Sequence, residues 1–98
     1  MKKTFQLTIE GKNRDRVLDA TKHEIRKYIK RQRRVPLPEG VDFWDFDCKF
    51  GLSKDVASSI HFATITEHIN EVAASGAEAF YLEMIAKSGH RQARPSAS

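Results

Sequence analysis

From Thr4 to Ile9 the chain alternates, with Phe5, Leu7 and Ile9 on one side and Thr4, Gln6 and Thr8 on the other. That period of two is the signature of a half-buried strand. The stretch "EGKN" breaks it. Asn13 stands where a helix N-cap belongs, and Asp15 follows in the first turn, where the helix dipole favours a carboxylate. The period then changes to helical as far as about Arg34. At 100° per residue Val17, Leu18, Thr21, Ile25, Tyr28 and Ile29 share one arc of about 120°. "VPLPEG" ends the helix, because its two prolines cannot continue it and Gly40 favours a turn.

Alternation returns from Phe43 to Phe50, and again from Val56 to Phe62 beyond a connection at Gly51 and "LSKD". Thr64 and Glu67 have the spacing of a capping box, opening a second helix that carries Ile65, Ile69, Val72 and Ala73. Gly76 is placed to stop that helix. Ala79 to Lys87, "AFYLEMIAK", reads as a last strand, and residues 89–98 lack apolar anchors and are expected to form a disordered tail after a single domain over 1–88. Strand, helix, strand, strand, helix, strand is the split βαβ pattern (βαββαβ) of the ferredoxin-like α+β fold. Right-handed crossovers predict a four-stranded antiparallel sheet in the order 4-1-3-2 with both helices on one face.

In that arrangement Phe5, Leu7, Ile9, Trp44, Phe46, Cys48, Phe50, Ile60, Phe62, Phe80, Leu82 and Met84 point inward. Asp45 and Asp47 fall on the open face, on an edge strand beside the strand that carries His61. This trio is the candidate metal or acid/base cluster, since carboxylates and an imidazole can converge across neighbouring strands. Same-face residues two apart sit roughly 7 Å apart, which is loose for a metal cage. Charges there also protect a sheet edge, so a solvated face is the expected reading, with no catalytic residue, metal or cofactor assigned. The expected central strands expose Thr4, Gln6, Thr8, Ser59 and His61, which lack the aromatic platform of an RNA-recognition sheet. "EGKNRDR" offers Arg14 or Arg16 to an anion, but lacks the glycine-rich loop of the acylphosphatases. His23 and His68 are assigned to outer helix faces, and Cys48 to the core.

Charge changes this picture at one place. Of the 17 Lys/Arg in the chain, seven lie in residues 22–34, "KHEIRKYIKRQRR", with a single Glu; the rest of the chain carries a net −2. Lys22, Arg26, Lys30 and Arg33 form a stripe, flanked by Lys27, Arg31 and Arg34, opposite the apolar arc. These seven are the candidate nucleic-acid-binding residues, suited to a phosphate backbone on RNA or the ribosome. An acidic protein, or a homodimer through a sheet edge or the open face, is the alternative partner, in a regulatory or protein-interaction role. A metal- or phosphate-dependent enzyme ranks below both. No apolar run approaches the roughly 18–20 residues that cross a membrane, and the alternating N-terminus is not a signal peptide. One cysteine cannot staple the chain, which fits a reducing cytoplasm.

The words "DRVLDATKHEIRKYIKRQRR" and "PLPEGVDFWDFDCKFG" resemble a family of small uncharacterised bacterial proteins, a domain of unknown function, over about residues 1–88. The resemblance implies a cytoplasmic bacterial setting. It carries over no activity, ligand or site residue.

Overall fold

A computed structural model describes residues 1–91, in six elements. They are β1 (Lys2–Gln6), α1 (Arg14–Arg33), β2 (Phe43–Gly51), β3 (Ser58–Ile60), α2 (Ile65–Ala74) and β4 (Ala79–Gly89), with 3-10 turns at Lys54–Val56 and Phe62–Thr64. The expected element order and α+β class are present. Residues 92–98, most of the expected tail, lie outside the described residues. Gly89 does not: it ends β4, buried and paired with Phe43.

The strands form one antiparallel sheet in the order β1-β4-β2-β3. Two pairings agree with the expected 4-1-3-2 order, β1 with β4 and β2 with β3. The central pairing does not, because β4 lies against β2 where β1 was expected against β3. The physical reason is strand length and composition. β3 holds only Ser58, Ser59 and Ile60 in its ladder, too short and too polar to occupy the middle. β4 is 11 residues long and buries Phe80, Tyr81, Leu82 and Met84 on both of its faces, the composition of a central strand. Nine consecutive pairs join β2 to β4, from Phe43↔Gly89 to Gly51↔Tyr81.

Both helices cover one face. Ile25 of α1 and Ile65 and Ile69 of α2 belong to the same buried cluster as Phe5, Phe46, Cys48, Phe50, Phe80, Leu82 and Met84. Phe80 stacks between Phe5 and Phe50, with ring centroids 5.3 and 5.2 Å apart. Four residues assigned inward differ: Ile9 is exposed because β1 stops at Gln6, Ile60 and Phe62 are only half-buried against the core, and Trp44 is half-buried, its indole N–H donating to the Val35 carbonyl at 2.8 Å.

Local chemistry explains the helix ends. Asn13 Oδ1 accepts from the Asp15 and Arg16 amides at 2.9 and 3.3 Å, the predicted N-cap. At the end of α2, Gly76 has φ +83°, and the Ala77 and Gly76 amides donate to the carbonyls of Val72 and Ala73. This is a Schellman stop. The expected capping box is not formed. The Thr64 hydroxyl instead donates to the His61 carbonyl at 2.7 Å, bracing the 3-10 turn before α2.

Gly51 marks where β2 must let the chain fold back closely. A Cβ there would lie 2.7 Å from the Cα of Ala57, in backbone that cannot yield cheaply. Gly51→Ala is therefore expected to destabilise the fold by about 1–3 kcal/mol in urea unfolding. A loss under about 0.5 kcal/mol, within the scatter of neutral surface changes, would contradict this close approach.

Candidate nucleic-acid interface

α1 is 20 residues long, about 30 Å at 1.5 Å per residue. Its buried residues are Val17, Thr21 and Ile25, with Leu18, Tyr28 and Ile29 partly buried against the core. The cations consequently turn outward. Arg26, Lys27, Lys30, Arg31, Arg33 and Arg34 are exposed, and Lys22 is half-buried with Nζ 2.5 Å from Asn70 Oδ1 on α2. Among the described residues none of these seven has a carboxylate within 4.0 Å. Lys30, Arg31 and Arg33 in the last turn also meet the negative end of the helix dipole.

The expected stripe borders a trough. A hollow of about 440 Å³ is lined by Arg26, Ile29, Lys30, Arg33, Arg34 and Phe62. A smaller one of about 210 Å³ shares Arg26, Ile29 and Phe62 and adds Lys22, Ala63 and Thr66 along the start of α2. Phe62, read as the end of a strand, instead begins the 3-10 turn, where its ring stacks on Phe46 at 5.0 Å. The Arg33 guanidinium lies over the Phe62 ring at 5.6 Å, a cation–π contact that holds this cation on the trough wall. The stripe was legible in the sequence; its aromatic neighbour was not, because the short length of β3 has no sequence period of its own.

The other candidates are placed differently. β2 pairs with β4 along its whole length but with β3 only from Cys48 to Phe50, so Asp45 and Asp47 lie where the other side of β2 carries no strand among the described residues. They share a hollow of about 500 Å³ with Lys49, Ser59, His61, Glu83 and Lys87. Lys87 occupies the ground between the carboxylates, with Nζ 2.6 Å from Asp47 Oδ1 and 4.0 Å from Asp45 Oδ2. Its hydrogen bond to Asp47 raises the Lys87 pKa above the usual lysine value. His61 Nδ1 accepts the Ala63 amide at 3.1 Å. Among the described residues no group of three or more His, Cys, Asp and Glu side chains could hold a metal ion.

The true central strands expose Phe43, Asp47, Lys49, Ile85 and Lys87 on this face, with Asp45 and Glu83 half-buried; Phe43, at the Gly89 end, is their one exposed aromatic among the described residues, too little for a stacking platform. Tyr81 on the same face is buried and donates to Glu83 at 3.2 Å; burial, then that hydrogen bond, raises its pKa.

Arg14 is not free for an anion. Its guanidinium donates to Thr8 Oγ1 at 2.9 Å and to the Ala73 and Ala77 carbonyls at 3.0 and 2.8 Å, tying the start of α1 to the end of α2. His68, assigned to an outer face, is half-buried with its ring 5.4 Å from that of Phe50. Among the described residues no helix is long and apolar enough to cross a membrane.

Over residues 1–95 the chain is matched by a family described as "Family of unknown function (DUF6172)". No curated protein and no solved structure matches it.

Cys48 is buried in the core, and burial first, then the charges of Asp47 and Asp45, raises its pKa from 9.0 to about 11. Its thiol is therefore neutral at pH 7. A proton held more tightly by the folded chain gives stability that is complete below pH 9 and lost as the pH rises to about 11. Cys48→Ala is expected to flatten the fall in unfolding free energy across that window, beneath the slope contributed by Tyr81. An unchanged slope in the variant would contradict the assignment.

Proposed function

This chain belongs to that family of unknown function, and we propose that it is a small non-enzymatic binding module whose basic first helix contacts the phosphate backbone of RNA, free or in the ribosome. The observation that carries the reading is the set of six cations on α1 and Arg34 at its C-cap, none of them ion-paired among the described residues. Neighbouring like charges at i,i+4, such as Lys22 with Arg26 and Arg26 with Lys30, each cost about 0.2–0.5 kcal/mol in an isolated helix. A phosphate backbone removes that repulsion and releases its own counterions.

The trough offers charge and little stacking surface, since Phe62 already holds Phe46 and Arg33. Binding of this type tolerates sequence and depends strongly on salt. Residues 22–34 cover about 18 Å along the helix axis, enough for several phosphates. The bacterial, cytoplasmic setting belongs to the same reading. It is supported by the sequence resemblance and by a single cysteine, free and buried.

The test is fluorescence anisotropy with mixed cellular RNA across a salt series. Four to six neutralised phosphates give a log–log slope of about −3 to −5. Lys30→Glu with Arg31→Glu is expected to cut affinity more than tenfold at low salt and to flatten the slope, with the circular dichroism unchanged. Equal retention of the double variant on RNA would sink the proposal.

A further inference from the structure

The opposite side of α1 carries a second surface. β1 is an edge strand, paired only with β4. Met1 exchanges both backbone hydrogen bonds with Met84, and the Leu7 amide donates to Glu78, so the odd-numbered residues of β1 face β4. In an antiparallel ladder the alternate residues face away. The N–H and C=O groups of Lys2, Thr4 and Gln6 therefore point to the open edge.

Charged side chains commonly blunt such an edge. Here both lysines are turned to partners on their own chain, Lys2 to Glu83 at 3.7 Å and Lys3 to Glu24 at 2.7 Å. Beside the edge runs a groove of about 780 Å³ between β1 and the first half of α1. Phe5, Ile9, Val17 and Ala20 give it an apolar floor. At its Gly11 end stand Lys12 and Arg16, exposed and without an ion pair among the described residues.

We infer that this groove takes an extended segment of a partner protein, which adds to β1 as a fifth strand, places alternate apolar side chains on the floor and sets acidic side chains against Lys12 and Arg16. Edge strand and helix groove together are the requirements of β-augmentation: main-chain hydrogen bonds supply affinity, and pockets for alternate side chains supply specificity. Charge decides the occupant. A second copy would bring its own β1, which has no carboxylate to set against the two unpaired cations. An acidic strand supplies one. The groove lies on the face of α1 away from the trough, so the two surfaces can be tested separately.

The experiment pans a random dodecapeptide library on the full chain. The best clone is then measured by anisotropy and by amide hydrogen exchange. Enriched peptides are expected to alternate apolar residues and to carry Asp or Glu at one end, and binding should protect the amides of Lys2, Thr4 and Gln6. Lys12→Glu with Arg16→Glu should weaken the peptide at least tenfold, while Lys30→Glu with Arg31→Glu should not. Thr4→Pro removes one outward donor and no bond to β4, and should also weaken binding at least tenfold. If that variant fails to fold, the Lys12/Arg16 pair still decides. No enrichment, or peptides indifferent to the Lys12/Arg16 reversal, would overturn the inference. So would a dimer in sedimentation whose β1 edge amides are protected without peptide, which would assign the edge to a second copy.

Discussion

The rest of the fold hangs on the ladder between β2 and β4. Its inward pairs, Phe46↔Ala86, Cys48↔Met84 and Phe50↔Leu82, form the floor on which Ile25, Ile65 and Ile69 pack. A shift of one residue would turn that whole set to the open face, so the register is held by the core itself. β1 and β3 add to the flanks of this pair, and Arg14 then ties the two helices together through the end of α2. Because β4 takes the centre, β1 is left as an edge with α1 beside it.

The ladder also separates the charges. On the open face Lys87 stands opposite Asp45 and beside Asp47, so the acidic pair meets one cation within the sheet. On α1 the cations have no such counter-charge among the described residues, although Glu24 lies on the same helix, because Glu24 is taken by Lys3. Exposed ion pairs contribute little to stability, about 0–1 kcal/mol each. Their placement here matters more for what it leaves uncompensated: a basic stripe facing solvent along half of one helix.

Much of this was legible in the residues. Asn13 and Gly76 marked helix ends through backbone chemistry that acts locally. The periods of α1, β2 and β4 named their buried faces, and the clustering of Lys and Arg named the stripe. Strand order was not legible from crossover handedness, which constrains how β1 connects to β2 but not which strand lies between them. A signal was present all the same: "AFYLEMIAK" is apolar on both faces, whereas "SSI" offers little to bury. The role of Lys87 as partner of Asp45 and Asp47 is hidden in the sequence, because that contact depends on the β2–β4 pairing. The structural role of Arg14 is hidden in the sequence for a related reason. The carbonyls it binds are about sixty residues away in the chain and meet it only once both helices are docked.

The working surface proposed for this chain is the set of unopposed cations along α1. The most direct measurement is backbone amide shift mapping of the isotope-labelled chain during titration with a short single-stranded RNA at low salt. Shifts are expected to concentrate at residues 26–34 and in the 3-10 turn at Phe62–Thr64, and to fade as salt is added. Shifts centred on Asp45, Asp47, Ser59 and His61, with α1 silent, would contradict this proposal and return function to the open face of the sheet.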